Sequence, residues 1–178
     1  MQSLDYLGYR VDASGLAPLP RKTEALQQFP QPTKQKELLA FLGAINYYRA
    51  SLPKLKKEES SNPTHHDGLR SPAEILDPLY KLATCKISKK AGESFQDIWL
   101  KSDIVRESFE DAKILLTKAV TLNYPIPSAP LALSTDASKT HLGASLDQWV
   151  DGKWVPLAFW SKSLRPEQQR YSTYIREL

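Results

Sequence analysis

The sequence predicts an α+β chain in which a helical region comes first and a small antiparallel sheet, followed by the start of a helix, comes last. Three observations carry that expectation. Apolar residues recur at helical spacing between Pro20 and Ala119, strand-like runs flank an Asp151-Gly152 turn signal, and three prolines within 123–130 separate the two regions.

Composition sets the outer bounds. With 178 residues, 41% hydrophobic and 25% charged, the chain has ordinary globular composition and suits one domain or two small ones. No apolar run approaches the roughly 20 residues that span a bilayer, and the first residues have neither a basic region nor an apolar leader. The expected setting is soluble and intracellular, cytoplasmic or nuclear, with no membrane partner. Cys85, the lone cysteine, excludes an internal disulfide framework and a Cys-built zinc site, and fits a reducing compartment. The net charge of +4 permits a polyanionic partner without requiring one. Between Pro20 and Lys57, eight Lys or Arg stand against Glu24 and Glu37, whereas the stretch from Leu131 onward is nearly balanced.

Taken in order, Leu4 to Val11 reads as one strand, and Asp12-Ala13-Ser14-Gly15 as a turn leading to Leu16 and Ala17. Pro20 suits the first position of a short helix, which Phe29-Pro30-Gln31-Pro32 ends. Thr33 is the expected N-cap of the next helix, with Leu38, Phe41, Leu42, Ile45 and Tyr48 on its buried stripe and Pro53 at its end. Lys34, Lys36 and Arg49 fall mainly off that stripe, either as a solvated face or as a phosphate-facing one.

Residues 53–70 lack any period and read as a mobile loop. His65, His66 and Asp67 within it lack the helical or strand spacing that converges side chains on one ion. Ser71-Pro72-Ala73-Glu74 is a capping-box pattern opening a helix to Ala83; Lys86 to Gly92 is a polar loop. Ile104 to Ala119 is the cleanest helix, its stripe formed by Val105, Phe109, Ala112, Leu116 and Ala119.

The prolines of 123–130 predict an extended linker, placing the domain boundary between 1–122 and 131–178. Strands are expected from Leu131, from Gly143 to Val150 and from Lys153 to Trp160, with Asp151-Gly152 joining the last two. Pro156 belongs at a sheet edge or bulge, where no N–H is needed. Ser172 or Thr173 opens a final helix that carries Glu177.

One feature suggests chemistry. A strand ending in Asp136, a hairpin, and a helix with Glu177 can bring two carboxylates together. Gathered carboxylates repel, and a hard divalent cation such as Mg²⁺ is the usual reason for such an arrangement. Two alone are too few for the paired ions that commonly serve phosphodiester hydrolysis.

Thr135-Asp136-Ala137-Ser138, Leu142-Gly143-Ala144, Asp151-Gly152-Lys153-Trp154, Pro156-Leu157-Ala158-Phe159-Trp160-Ser161-Lys162 and Tyr171-Ser172-Thr173 through Glu177-Leu178 closely resemble the ribonuclease H domain of gypsy-like retrotransposon polyproteins. Upstream, Tyr6-Leu7-Gly8-Tyr9, Phe29-Pro30-Gln31-Pro32-Thr33, Phe41-Leu42-Gly43 and Asn46-Tyr47-Tyr48-Arg49 resemble that family's passage from polymerase palm to thumb and connection. The resemblance implies an end of the palm plus thumb and connection helices, followed by the N-terminal part of a ribonuclease H-like domain. In the intact parent it implies RNA-directed DNA synthesis and Mg²⁺-dependent cleavage of RNA in RNA/DNA hybrids, with Asp136 and Glu177 as two catalytic, metal-binding carboxylates. Implied partners are an RNA/DNA hybrid or template-primer duplex and the remaining polyprotein segments. The polymerase's paired aspartates and two further nuclease carboxylates have no match, so the expectation is a fragment, cut at both ends and inactive alone. The alternative is a non-catalytic nucleic-acid-binding or interaction module.

Overall fold

The computed structural model describes residues 3–56, 68–85, 94–172 and 175–176. It is a mixed helix and sheet structure. Strands β1 (Leu4–Tyr6), β2 (Tyr9–Asp12) and β3 (Gly15–Pro18) precede α1 (Pro20–Gln27), α2 (Gln35–Tyr47) and a 3-10 turn at Arg49–Ser51. Then come β4 (Leu55–Lys56), β5 (Leu69–Arg70), α3 (Pro72–Thr84), α4 (Phe95–Lys101) and α5 (Asp103–Thr117). β6 (Leu131–Ala137), β7 (His141–Val150), β8 (Lys153–Ser163) and a 3-10 turn at Gln168–Arg170 follow, and residues 175–176 are again helical.

The single strand expected from Leu4 to Val11 is two strands. Leu7 and Gly8 take positive φ angles of 46° and 85°, forming a tight turn that pairs Tyr6 with Tyr9 and makes β1–β2–β3 a meander. Tyr48 Oη donates to the Gly8 carbonyl at 3.3 Å, and a Cβ on Gly8 would stand 2.8 Å from that hydroxyl. Only glycine satisfies both the backbone and the space.

Pro20 opens α1 as expected. In α2 the cap lies one residue later than expected: Lys34 holds the N-cap position, while Thr33 donates its N–H (2.7 Å) and hydroxyl (3.0 Å) to the Glu37 carboxylate. Glu37 thus reaches back to the residue before the N-cap, and no side chain caps the helix itself. Ser71 caps α3 by accepting the Glu74 N–H, and the helix continues through Pro78.

Helix α4 was hidden between a polar loop and a stronger helix. Its start is a reciprocal box, with Ser94 N–H on Asp97 Oδ2 (2.8 Å) and Asp97 N–H on Ser94 Oγ (3.2 Å). Burial of Trp99 to 1% exposure against the edge of Phe109 holds the helix in place.

One core joins these helices. Phe41, Leu42 and Ile45 of α2, Ile75, Leu76 and Leu79 of α3, and Ala112 and Leu115 of α5 are all buried. The described ends of the segment expected to be loop form the β4–β5 ladder, tied down because Arg70 Nη1 reaches the fully buried Asp111 Oδ2 at 2.5 Å.

The last sheet runs β6–β7–β8, antiparallel throughout. Asp151 and Gly152, with φ of 50° and 79°, make its hairpin turn, and the register slips between Leu146 and Asp147 opposite Pro156. Leu157 is the extra residue of this bulge, and Pro156 lies beside it on the edge strand, as expected. The proline-rich segment, expected to be extended, turns at 126–129, where Ala129 N–H meets the Ile126 carbonyl (3.0 Å), and it is bonded to this sheet: Asn123 N–H meets the Pro156 carbonyl (2.9 Å), and buried Gln148 donates to Tyr124 O (2.7 Å) and accepts from Ile126 N (2.9 Å). One face of the sheet packs on α3 and the Arg49–Ser51 turn, while Leu133 and Trp160 remain exposed on the other.

Candidate functional site

Asp136 stands near the end of β6, registered opposite Gly143 of β7. Alternation places it on the sheet face turned toward the helices. Its side chain is 64% exposed, and Lys54 Nζ lies 2.5 Å from Oδ2. Lys54 arrives from Pro53, just after the 3-10 turn, and its stem passes over Gly143, where a Cβ would meet Lys54 Cε at 3.1 Å. The pair lies beside a cleft of about 360 Å³ whose walls include Leu52, Pro72, Ser134 and Phe159.

The turn after β6 is built by Ser138, whose hydroxyl accepts the His141 N–H at 2.9 Å. Arg176 Nη1 donates to the Ser138 carbonyl at 2.5 Å, which brings the described helical residues Ile175 and Arg176 against the end of β6. Ser172 lies at the N-terminal side of these two: its carbonyl accepts Arg176 N–H (3.1 Å) and its hydroxyl accepts Ile175 N–H (3.4 Å). Glu177, the second carboxylate expected from sequence, lies outside the described residues, as do His65, His66 and Asp67.

Lys34 and Lys36 are exposed at the start of α2. Arg49 is about 20 Å farther along the helix axis, and it points elsewhere. Its Nη2 donates to the Ser161 carbonyl (2.5 Å) and hydroxyl (3.1 Å), and Ala73 N–H also reaches the Ser161 hydroxyl (3.0 Å). Lys34 and Lys36 therefore form one surface, and Arg49 joins the helical layer to the sheet.

His141 was not anticipated as a notable residue. It is 6% exposed, Thr140 Oγ1 lies 2.8 Å from its Nδ1, and its buried Nε2 makes no hydrogen bond among the described residues. Burial pushes the imidazole below its ordinary range, opposed by Asp77 and Glu74 and reinforced by Lys81 and Arg49. The residue has a detectable sequence signal only in hindsight: it precedes an alternating run whose inner face meets α3.

Among the described residues no group of three or more His, Cys, Asp or Glu could hold a metal ion. Asp136 offers one carboxylate, already paired with an ammonium, and so the described residues do not by themselves make a divalent-cation site. No described helix is long and apolar enough to cross a membrane.

Residues 102–178 match the family model described as the RNase H-like domain found in reverse transcriptase. The match begins at Ser102, the N-cap of α5. Three retrovirus-related Pol polyproteins of Drosophila melanogaster align over nearly the whole chain. Those from transposons opus, 297 and gypsy are 30%, 32% and 30% identical over 98%, 98% and 99% of it. The chain spans only 16%, 14% and 15% of their respective lengths. Among solved structures, the foamy viral protease-reverse transcriptase dRH in complex with double-stranded DNA superposes with a TM-score of 0.70 at 19% identity, covering 99% of this chain and 26% of that one. The same viral enzyme in complex with an RNA/DNA hybrid gives 0.63 at 17% identity, over 98% and 20%. At those identities the likeness concerns the fold. Residues 102–178 thus match an RNase H-like domain of the reverse transcriptase kind, and along nearly its whole length the chain is similar to one segment of gypsy-like retrotransposon Pol polyproteins.

Proposed function

We propose that this chain is the part of a reverse transcriptase/ribonuclease H polyprotein that holds the nucleic-acid-guiding helices and the first half of the nuclease site. The proposed division is palm end, thumb and connection over 1–122, linker over 123–130, and nuclease over 131–178, in a cytoplasmic or nuclear setting. The observation that carries the nuclease reading is the Arg176 to Ser138 hydrogen bond, because it brings the chain immediately before Glu177 against the turn two residues after Asp136. Asp136 and Glu177 would then share the holding of Mg²⁺ in the intact parent, where the ion would supply water activation and stabilisation of the leaving oxygen. Two carboxylates do not complete such a site, so the chain alone binds without cutting.

The substrate class is an RNA/DNA hybrid or template-primer duplex. Structural neighbours were solved with double-stranded DNA and with an RNA/DNA hybrid, and Lys34 and Lys36 offer an exposed cationic start to α2. The same lysines support the second reading, a binding module without any catalytic role. Fluorescence anisotropy with a labelled hybrid tests the shared part. Measurable affinity at low salt that weakens log-linearly with salt is expected, and no binding at low salt would remove both readings.

A further inference from the structure

The carboxylate expected to meet a cation already meets one. Lys54 Nζ lies 2.5 Å from Asp136 Oδ2, and the lysine stem reaches that point by crossing β7 at Gly143, the residue registered opposite Asp136. A Cβ on Gly143 would stand 3.1 Å from Lys54 Cε and 3.7 Å from Nζ, so the absent side chain provides the groove in which the lysine lies. The backbone on either side of Lys54 is held: Leu52 and Leu55 are buried, and Leu55 pairs with Arg70, itself bound to buried Asp111. The lysine side chain is 27% exposed and the aspartate 64%, which makes Lys54 the anchored partner and Asp136 the accessible one. Ser71 at the N-cap of α3 and Glu74 within it, with Ser138 and His141, line a small recess beside the pair.

We propose that Lys54 is a tethered counter-ion for Asp136: seated over Gly143, it opposes divalent-cation binding at the Oδ2 of this carboxylate and ties the sheet to the helical layer. The proposal rests on reading Asp136 as a metal ligand. An ammonium and a hard divalent cation compete for one oxygen because like charges a few Å apart repel. Lys54 is in this account a positioning residue, acting through Asp136 and not on substrate.

The test follows Mn²⁺-induced broadening of backbone amide signals from Asp136 to Gly143 in the full chain, a readout independent of any activity. Lys54→Met is expected to lower the Mn²⁺ midpoint about threefold, the factor that corresponds to a partly exposed ion pair of ordinary strength. Gly143→Ala, which crowds the lysine stem without altering either charge, shifts it the same way by less. Asp136→Asn abolishes local broadening in every background. Equal midpoints in wild type, Lys54→Met and Gly143→Ala, with broadening still lost in Asp136→Asn, overturn the counter-ion and leave the metal-ligand reading intact. Broadening that survives Asp136→Asn, or none in Lys54→Met, overturns both.

Discussion

The Arg49 guanidinium holds Ser161 by both its carbonyl and its hydroxyl, at 2.5 and 3.1 Å, and so joins the turn after α2 to strand β8. A charged donor on a partly buried carbonyl contributes about 1.5 to 3 kcal/mol. Arg49→Ala is therefore expected to lower unfolding free energy by that amount in urea titrations. Arg49→Lys should recover only part of it, since the guanidinium also donates from Nη1 to Asn46 Oδ1 at 3.3 Å and one ammonium does not reach both partners. A change below 0.5 kcal/mol, as at an ordinary surface site, would contradict the joint.

Nucleic-acid affinity separates the three basic residues. Lys34→Glu with Lys36→Glu is expected to weaken hybrid binding and to flatten its salt dependence by about one to two units of log-log slope. Arg49→Gln should leave the slope unchanged in protein that remains folded, because its side chain faces Ser161. Equal loss of slope in both would place Arg49 on the nucleic-acid surface.

The Arg70–Asp111 pair is the most buried ion pair among the described residues, with Asp111 side chain at 0% and Arg70 at 13% exposure. Removing Arg70 takes a cationic partner from a buried carboxylate. Arg70→Ala is expected to cost about 3 to 5 kcal/mol, and Arg70→Met with Asp111→Leu to regain much of that loss. If the single variant melted like wild type, the pair would not be what fixes β5 to α5.

His141 gives the pH dependence. Burial lowers its folded-state pKa below the ordinary value of about 6.5. The unfolded chain therefore binds the proton more readily, and stability falls as pH drops below about 6.5, down through the lowered folded value. The neighbours that oppose this, Asp77 and Glu74, lie on α3; Lys81 on α3 and Arg49 reinforce it. His141→Leu is expected to flatten the stability profile between pH 6.5 and 5 relative to wild type. An unchanged slope in that window would assign the acid sensitivity elsewhere.

Much of this architecture was legible in the residues because local chemistry and tertiary packing agree there. Pro20, Ser71 and the Asp151-Gly152 turn sit where their backbone preferences place them, and Pro156 lies beside the bulge on an edge strand, where its missing N–H is not needed. The misreadings share a cause. Leu7-Gly8 carries no Asn-Gly or Asp-Gly signal, and its turn is held by Tyr47 and Tyr48, forty residues away. Helix α4 has only seven residues, too few for a convincing period, and depends on Trp99 entering the core. Asp136 was legible as a candidate from its place at a strand end. Its partner Lys54, 82 positions earlier in a stretch without period, was not, because only the packed sheet brings them together. Arg49 illustrates the same limit: its charge and its place off the helix stripe were readable, its partner on β8 was not.

The most direct test of the central account is cleavage of an RNA/DNA hybrid by this chain in Mg²⁺, compared with Asp136→Asn under conditions where binding is established. Salt-sensitive binding by both proteins is expected, with no cleavage by either above the protein-free control. Cleavage by the wild-type chain that Asp136→Asn abolishes would contradict it, because the site would then be complete within these 178 residues.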